Sequence, residues 1–351
     1  MKIAVIGCGS IANAQHIPAY MKNPKAEILY FCDILPERAR AAVEKYGVGK
    51  AVTDYRVVLS DPAVEAVSVC TPNKMHSEIS IAALKAGKNV LCEKPAARCL
   101  DEALLMQKAQ HEYGKVLNIG VVNRFNVGVN KVKQLIDEGV LGEVYNVYVS
   151  FRAHRSIPGL GGAFTTKEIA GGGVLIDWGI HFLDLILYVL GGAKLKTVTC
   201  DAYNEMAKDM KEYNYTGFGM WAEDTADIEH GTNDVDDYIS GYIRTDKASI
   251  DFNGAWAQNL NKNEMFIDFM GDKGGARLTY GGLFEFFDGK TLQTATPQYD
   301  IPNMYLCEDK AFIESVQTGV KDKNNITEIL ESMKLLDALY KSSDEKKEIS
   351  F

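Results

Sequence analysis

The first 33 residues of the chain carry the pattern that most constrains its fold. A short apolar run, Lys2 to Ile6, leads directly into the glycine-bearing segment Gly7 to Ala12. A helical stretch follows, and a second apolar run, Glu27 to Cys32, ends on Asp33. A strand, a glycine loop, a helix and a second strand in this order are typical of the first unit of an open, mostly parallel sheet. The pattern therefore predicts an α/β fold that starts at the first residues.

The small residues of the glycine segment match the requirements of a dinucleotide. Gly7 permits the tight turn that leaves the strand, Gly9 lets the backbone approach a pyrophosphate, and Ala12 permits close packing of helix on strand. The first N–H groups of the helix and its dipole favour the negative charge of phosphates. The alternative is a purely structural turn. We predict a cofactor site formed by Gly7, Gly9, Ser10, Ile11, Ala12 and Asp33.

Asp33 indicates which nicotinamide cofactor the chain binds. It follows the glycines by about 20 residues, where a carboxylate can bind both ribose hydroxyls of the adenosine. The same carboxylate repels the 2′-phosphate of NADP, and the next residue, Ile34, offers that phosphate no guanidinium. Arg38 and Arg40 lie nearby in the sequence, so NADP stays the less favoured alternative. We predict NAD.

Size and charge exclude several classes of protein. The chain has 351 residues, which favours two domains, and its formal net charge is −9. Nucleic-acid binding depends on Lys and Arg that neutralise phosphates, so this charge gives no reason to expect it. No run reaches the roughly 20 apolar residues of a membrane span. The first strand begins at Lys2 and leaves no room for a signal peptide.

The cysteines favour a reducing compartment. The chain has seven of them, an odd number with scattered spacing. Cys8, Cys32, Cys70 and Cys92 lie within apolar strand runs or at their ends. Reduced, buried thiols fit this pattern better than a disulfide framework does. We therefore predict a cytoplasmic protein with neither a nucleic-acid nor a membrane partner.

Strand and helix patterns alternate through residue 122. Short continuous apolar runs suit a parallel sheet that is covered on both faces, and glycines stop the helices between them. We predict that residues 1–122 form a Rossmann domain, a doubly wound parallel sheet that binds NAD. Its further strands are expected at 66–70, 89–92 and 115–119, and its helices at 75–86 and 100–111.

The rhythm changes after residue 123. Strand runs separated by glycine- and aspartate-bearing turns imply an antiparallel sheet, so residues 123–351 are predicted to form an α+β domain. Segment 204–234 fits neither pattern and is interpreted as an interface, an active-site lid or a surface excursion. The tail 342–348 is expected to be solvated and frayed. Strands are predicted at 144–153, 196–202, 237–244, 248–256, 264–270 and 276–280, and helices at 174–190, 306–317 and 327–342.

Polar residues follow two of the predicted parallel strands. Ligands of open parallel sheets bind beyond the carboxyl ends of the strands. Thr71-Pro72-Asn73 follows one strand, with His76 shortly after, and Glu93-Lys94-Pro95 follows the next. Pro95 stops its strand from continuing its ladder. These residues are predicted to face the cofactor; a surface ion pair before a turn is the alternative for Glu93 and Lys94.

The apolar helix at 174–190 carries a polar stripe. Asp177, His181, Asp184 and Tyr188 recur at helical spacing on one face of an otherwise apolar helix. Buried polar groups need partners, and Asp177 can accept a hydrogen bond from His181 and fix its tautomer. The stripe is interpreted as a catalytic pair or as a satisfied structural network. Only two metal ligands are evident, so no metal site is predicted.

These motifs together resemble those of the Gfo/Idh/MocA oxidoreductases, a family that includes glucose–fructose oxidoreductase and inositol dehydrogenases. The matching residues lie in four motifs spread over the chain. The resemblance implies a Rossmann domain followed by a domain with a large, mostly antiparallel sheet. It also implies that one face of this sheet joins subunits, giving a homodimer or homotetramer. The motifs are Gly7 to Ala12 with His16, Thr71 to Asn73 with His76, Glu93 to Pro95, and Asp177 with His181.

The resemblance also implies roles for individual residues. Lys94, Asp177 and His181 match the catalytic set of the family. Arg124 stands where members often carry a basic residue, and His154 and Arg155, with Arg152 and Trp256, suit a polyhydroxylated substrate. Residues expected to line the nicotinamide side are Thr71, Pro72, Asn73, His76, Glu93 and Lys94.

The chemistry implied is hydride transfer between a secondary carbinol of a sugar, polyol or glycoside and the nicotinamide ring. His181 suits the role of base because its unperturbed pKa of about 6.5 lies close to neutrality. Lys94 could instead stabilise the developing negative charge, or be the base if its pKa fell from about 10.4 towards neutrality. The residues leave this choice open.

Two rival functions use the same fold. A glycoside-cleaving enzyme would oxidise its substrate transiently, eliminate the aglycone and return the hydride, so that NAD is not consumed. A non-enzymatic regulator would only sense the nucleotide. The presence of Lys94, Asp177 and His181 argues against a sensor, which has no need of them. An oxidoreductase is therefore the main prediction.

Overall fold

The computed structural model describes residues 1–215, 222 and 225–351. The chain forms two compact units. Unit 1 consists of Met1–Val122 and Asn303–Met333, and unit 2 consists of Asn123–Pro302 and Lys334–Phe351.

Unit 1 contains a six-stranded parallel sheet whose central strands are buried along most of their length. Its strands are β1 (Lys2–Ile6), β2 (Glu27–Cys32), β3 (Lys50–Val52), β4 (Ala66–Val69), β5 (Asn89–Glu93) and β6 (Leu117–Gly120). They are arranged in the order β3-β2-β1-β4-β5-β6, and every neighbouring pair is parallel. The order reverses beside β1, which is the topology of the predicted Rossmann sheet.

Unit 2 contains a nine-stranded sheet. Its strands are β7 (Val144–Arg152), β8 (Leu195–Tyr203), β9 (Tyr238–Thr245), β10 (Ser249–Ala255), β11 (Glu264–Gly271), β12 (Gly274–Thr279), β13 (Phe284–Asp288), β14 (Gln293–Ala295) and β15 (Ile349–Ser350). They are arranged in the order β14-β13-β12-β11-β7-β10-β9-β8-β15. Only the β7–β10 pair of the described strands is parallel, so the sheet is mostly antiparallel, as predicted.

Helices cover the sheets. Two of them begin with a π-helical turn, at Ala12–His16 and Leu175–Gly179. Both turns fall on segments that carry predicted site residues. The α-helices of the described residues are α1 (Ile17–Lys22), α2 (Pro36–Tyr46), α3 (Tyr55–Ser60), α4 (His76–Lys85), α5 (Leu100–Tyr113), α6 (Val127–Asp137), α7 (Lys167–Ala170), α8 (Ile180–Leu190), α9 (Met304–Thr318) and α10 (Ile326–Glu345).

Helix α8 is the core helix of unit 2. The segment Lys167–Leu190 is long and apolar enough to cross a membrane by length and composition, but 83% of its apolar window is buried inside the protein. Phe182 stacks on Phe151 of β7 with ring centroids 4.7 Å apart. The apolar character of this helix is therefore explained by packing on the sheet.

The fold class predicted from the sequence is confirmed, and two expectations differ from the structure. The chain divides between residues 122 and 123, but segment 303–333, which we had expected in the second domain, belongs to unit 1. The tail 342–348 does not simply fray, because α10 extends to Glu345 and Ser342 and Ser343 are buried. The interpretation of segment 204–234 stays a prediction. Among its described residues Asp227 N donates to Leu160 O at 2.9 Å, and residues 216–221 and 223–224 lie outside the described residues.

The four cysteines expected to be reduced lie in or beside the sheet of unit 1. Cys8, Cys32, Cys70 and Cys92 are all buried and none of these four forms a disulfide. Burial raises the pKa of Cys70 to about 11, so this thiol is neutral.

Candidate active site

The glycine loop of unit 1 takes a shape that its residues dictate. Gly7 has a φ of 93°, and a Cβ at this position would lie 2.5 Å from the carbonyl oxygen of Cys70 at the end of β4. Both the positive φ and the close approach of Cys70 O exclude a side chain at this position. At Gly9 an added Cβ would meet no atom of the described residues within 4 Å. Internal packing therefore explains Gly7, whereas the small size of Gly9 leaves the loop backbone accessible.

Asp33 fastens this loop to the end of β2. Its Oδ2 accepts a hydrogen bond from Cys8 N at 2.8 Å, and its Oδ1 accepts one from Leu35 N at 2.9 Å. The side chain is 8% exposed. A carboxylate has about four acceptor positions, so these two bonds leave capacity for ribose hydroxyls.

The residues of this part of unit 1 fit a dinucleotide. The loop backbone at Gly9 is uncovered, and Ser10 at the start of the helical segment is exposed. Buried Thr71 Oγ1, at the end of β4, has no hydrogen-bond partner among the described residues. A ligand that supplied phosphates at the loop and a polar atom near Thr71 would satisfy both features.

His76 joins the ends of β4 and β5. Its Nδ1 lies 2.8 Å from Pro95 O and its Nε2 lies 2.8 Å from Thr71 O. Burial lowers the pKa of His76, so the imidazole is neutral and donates to only one of the two carbonyls. The residue was predicted to line the nicotinamide, and the structure shows that both of its ring nitrogens face the backbone of unit 1.

Glu93 and Lys94 end β5 and begin the turn that follows it. Glu93 Oε1 lies 2.7 Å from His16 Nε2, and Glu93 Oε2 accepts a hydrogen bond from Lys94 N at 3.0 Å. Glu93 is 6% exposed, while Lys94 is half-buried and precedes Pro95 through a cis peptide bond. Both carboxylate oxygens of Glu93 thus face groups of unit 1.

Asp177 and His181 lie at the start of the core helix of unit 2. Asp177 is buried, and its Oδ2 accepts a hydrogen bond from Trp256 Nε1 at 3.2 Å. The half-buried imidazole of His181 has its Nδ1 3.1 Å from Asn123 Nδ2. An amide N–H that faces Nδ1 favours the tautomer in which the ring proton lies on Nε2.

The rest of the polar stripe is a structural network. Arg124 Nε donates to Asp184 Oδ2 at 2.8 Å and Arg124 Nη2 donates to Asp184 Oδ1 at 2.6 Å. Both side chains are buried, and the guanidinium lies over the ring of Tyr188, whose hydroxyl donates to Asn130 Oδ1 at 2.8 Å. Arg124 was predicted to bind substrate; its guanidinium is committed to a bidentate pair with Asp184.

A distant carboxylate caps the helix that carries Asp177. Asp236 Oδ1 accepts from Gly173 N and Asp236 Oδ2 from Leu175 N, both at 2.8 Å. Tyr340 of α10 donates its hydroxyl to Asp236 Oδ1 at 2.9 Å. A Cβ on Gly173 would lie 1.9 Å from Asp236 O, so only glycine permits this approach. The cap satisfies helix N–H groups that have no partner within the helix.

His154 and Arg155 lie together after β7 and contact the 258–259 turn. His154 Nδ1 lies 3.0 Å from Gln258 O, and Arg155 Nη2 donates to Asn259 Oδ1 at 2.5 Å. Arg155 Nη1 also donates to His154 O at 3.0 Å. Arg152, the last residue of β7, pairs with Glu264.

The chain was compared with protein families and known proteins. The model "Oxidoreductase family, NAD-binding Rossmann fold" matches residues 1–121, and the model "GFO/IDH/MocA C-terminal domain" matches residues 129–277. D-glucoside 3-dehydrogenase of Escherichia coli (strain K12) is 31% identical over 318 residues, which cover 90% of this chain and 88% of that protein. The chain belongs to the Gfo/Idh/MocA oxidoreductase family.

Other members of the family are similar over part of the chain or in fold. 1,5-anhydro-D-fructose reductase of Ensifer adhaerens is 33% identical over 213 residues, 61% of this chain and 63% of that protein. The structure of levoglucosan dehydrogenase in complex with NADH and levoglucosan superposes with a TM-score of 0.86 at 20% identity. It covers 100% of this chain and 99% of that one, and it shows that the two share a fold.

Membership in the Gfo/Idh/MocA family makes the chain an oxidoreductase, and its first domain is the family's NAD-binding Rossmann fold. The structure groups the predicted residues within each unit: Gly7 with Asp33, and Thr71 with His76. Lys94 lies in unit 1, and Asp177 and His181 lie in unit 2.

Sequence reasoning missed several residues of the site. Asn123 and Asp236 lie far in sequence from the helix they contact, and Asp309 of α9 lies 293 positions from His16. The available signal was an acidic pair, Glu308 and Asp309, on the buried side of a predicted helix. The contact of this pair with His16 could be predicted only if one knew which sheet the helix covers.

Proposed function

We propose that the chain is an NAD-dependent dehydrogenase that oxidises a secondary carbinol of a sugar, polyol or glycoside. The observation that carries the proposal is the 31% identity to D-glucoside 3-dehydrogenase across 90% of the chain. The other two proteins named above act, by name, on an anhydro-sugar or bind one. Their common chemistry is a ring carbon that bears a hydroxyl or a carbonyl group.

In the proposed reaction a side chain of this protein accepts the proton of the substrate hydroxyl. NAD+, when bound, accepts the hydride that leaves the carbinol carbon while the hydroxyl loses its proton and the carbon–oxygen bond becomes a carbonyl. Lys94 and His181 serve the reacting oxygen, one as hydrogen-bond donor and the other as base. Asn123 fixes the ring of His181, and Trp256 holds the carboxylate of Asp177.

The cofactor residues are proposed as a set with separate tasks. The backbone at Gly7, Gly9, Ser10, Ile11 and Ala12 receives the pyrophosphate, and Asp33 receives the ribose and disfavours NADP. Thr71, Pro72 and Asn73 contact the nicotinamide half. His76 and Glu93, whose polar atoms face unit 1, shape this region by holding its turns.

Residues 1–122 are proposed to act in cofactor binding and most of 123–351 in substrate binding and assembly. His154, Arg155 and Arg124 are proposed to serve the substrate region, Arg124 by holding Asp184 on the core helix. We further propose a homodimer or homotetramer formed through the sheet of unit 2, located in the cytoplasm. The buried reduced cysteines support a reducing compartment.

A substrate panel tests the proposed activity. We expect the absorbance of reduced nicotinamide to grow with added NAD+ when the purified protein receives one member of a panel of sugars, inositols and glycosides. NADP+ should support less turnover than NAD+. A signal that stops at one equivalent of cofactor while a glycoside is cleaved would instead indicate transient oxidation. Cofactor binding without reduction by any panel member would favour a nucleotide sensor.

A further inference from the structure

Unit 1 contains a buried cluster of one imidazole and three carboxyl groups. His16 Nε2 lies 2.7 Å from Glu93 Oε1, and His16 Nδ1 lies 3.3 Å from Asp309 Oδ1. Glu308 lies beside them, with one ligand-type atom of His16, Glu308 and Asp309 each within 4.8 Å of the others. His16, Glu308 and Asp309 are at most 1% exposed. The proposed reaction makes no direct use of these three residues.

The cluster is connected to the backbone of Lys94 through Glu93. One carboxylate oxygen of Glu93 faces His16, and the other accepts the hydrogen bond of Lys94 N at 3.0 Å. On β6, a Cβ added to Gly120 would lie 3.4 Å from Glu93 Cδ, so the carboxylate lies closely against this strand. A continuous line of contacts therefore runs from Asp309 on α9 through His16 and Glu93 to the Lys94 turn.

His16 needs a proton on each of its two ring nitrogens to donate hydrogen bonds to both Asp309 and Glu93. Each ring nitrogen of His16 faces a carboxylate oxygen, and an imidazolium donates to both whereas a neutral ring donates to one. Burial lowers the pKa of His16, but the neighbouring Cys70 and the contacts with Asp309 and Glu93 together raise it well above its ordinary value. Burial also raises the pKa of Glu308 and that of Asp309, and for Asp309 the hydrogen bond to His16 acts in the opposite direction.

The other neighbours of His16 do not supply a competing charge. Burial raises the pKa of Tyr20 on α1 and that of Cys70 at the end of β4, so both groups are neutral. The ring of Tyr305 on α9 meets the imidazole edge-on at 5.4 Å. The titratable groups that face His16 from the elements packed around it are Tyr20, Cys70, Glu93, Tyr305, Glu308 and Asp309.

We propose that His16 and Asp309 are positioning residues: Asp309 holds His16, His16 holds Glu93, and Glu93 holds the backbone of Lys94 in its working position. The inference rests on the proposed catalytic role of Lys94. It gives α9, which is distant in sequence from the glycine loop, a task in the chemistry of unit 1.

The kinetic test is Asp309→Asn, which keeps the size of the side chain and removes its charge. Loss of the charge leaves His16 as a neutral ring that can no longer hold both partners. We expect kcat to fall about 10-fold because small misplacements of a catalytic group are costly. The KM for NAD+ should stay within about twofold, since ground-state binding is unaffected. Glu314→Gln, an exposed acid on the same helix, is the matched control and should keep wild-type rates.

A spectroscopic test reads the cluster without using activity. In NMR spectra of protein with isotope-labelled histidine, His16→Gln identifies the His16 signal among the six histidines. We expect an imidazolium signal at about pH 8, above the ordinary histidine pKa of about 6.5. The Asp309→Asn variant should show a neutral ring at that pH. Once His16→Gln has assigned the signal, the wild-type spectrum decides the protonation state even if Asp309→Asn does not fold.

Several results would overturn the inference. A neutral His16 in the wild-type spectrum, or an unchanged kcat in Asp309→Asn, contradicts the positioning role. Stoichiometric metal in the purified protein, found by elemental analysis, would show that a cation rather than protons neutralises the cluster. Full turnover in Lys94→Ala would overturn the proposed catalysis and the positioning claim with it, while the His16 spectrum would stay that of an imidazolium and so separate the two failures.

Discussion

Three histidines of this chain illustrate how neighbouring atoms decide what one residue type can do. His16 lies between carboxylates, and despite the burial that lowers its pKa, Cys70 and these carboxylates raise that pKa well above the ordinary value. His76 lies between two carbonyls, and burial lowers its pKa. Both are at most 1% exposed. His181 contacts the side chain of Asn123, and among these three it alone is only half-buried.

At the residue scale, we predict that Lys94→Ala and His181→Ala each lower kcat by about 10²–10⁴-fold, the usual contribution of a group that transfers or stabilises the reacting proton. Steady-state rates with the substrate from the panel measure this effect. The pH profile then separates the roles. Loss of the base removes the acid limb of the kcat profile, whereas loss of the hydrogen-bond donor lowers the rate at every pH and keeps the limb.

Matched controls for these variants lie on α5. Lys108→Ala and His111→Ala remove exposed side chains of the same types and should leave the rates unchanged. If Lys94→Ala and His181→Ala both keep full turnover, the assignment of the catalytic set is wrong.

The sequence did not predict that Asn123 contacts His181, because 58 positions separate the two residues.

At the element scale, Asp236 is expected to stabilise the helix that carries Asp177 and His181. Asp236→Ala would leave the buried N–H groups of Gly173 and Leu175 without their acceptor, and we predict a loss of about 3 kcal/mol in the free energy of unfolding of unit 2. Urea denaturation followed by fluorescence measures this loss, since Trp178 and Trp256 lie in unit 2.

The comparison for this prediction is Asp209→Ala. Asp209 also accepts a backbone N–H, that of Lys211, but it is exposed and water can replace it. The expected loss is about 0.5 kcal/mol or less. Equal losses of unfolding free energy in the two variants would show that the Asp236 cap stabilises the protein no more than an exposed cap does.

Elements were predictable from the sequence where their residues repeat a pattern. The strands β1, β4 and β5 are short apolar runs that end in glycine or proline turns, and each was predicted within one or two residues. Strand β3 was missed because it has three residues, two of them exposed. The helix α9 was predicted as a helix but assigned to the second domain, since an apolar face does not specify the sheet that it covers.

At the scale of the whole molecule, the two fold types followed from the sequence because one half alternates strand with helix and the other alternates strand with turn. The sequence could not predict that segment 303–333 belongs to unit 1, because contacts between distant parts of the chain leave no local pattern. The candidate site shares this limit. Residues in local motifs, such as Gly7 and Lys94, were found, whereas Asn123, Asp236 and Asp309 act across long separations.

The sheet of unit 2 has one face that suits association of subunits. In β7, Val147, Val149 and Phe151 are buried, while Tyr148, on the opposite face, is partly exposed. Phe266 of β11 lies on this same face, its ring 5.8 Å from that of Tyr148 and below the guanidinium of Arg277 at 4.3 Å. Partly exposed aromatic and arginine side chains are typical of protein interfaces.

We predict that this face joins copies of the chain, and that Phe266→Glu separates them. In a symmetric dimer each new carboxylate would be buried near its own copy, and burial of unpaired charge is costly. Light scattering after size exclusion should give at least twice the chain mass of 38.7 kDa for the wild type and a single chain mass for the variant. Leu105→Glu, at a residue that is 55% exposed on α5, should leave the assembly intact. A wild-type monomer, or an assembly that survives Phe266→Glu, would show that this face does not join copies of the chain.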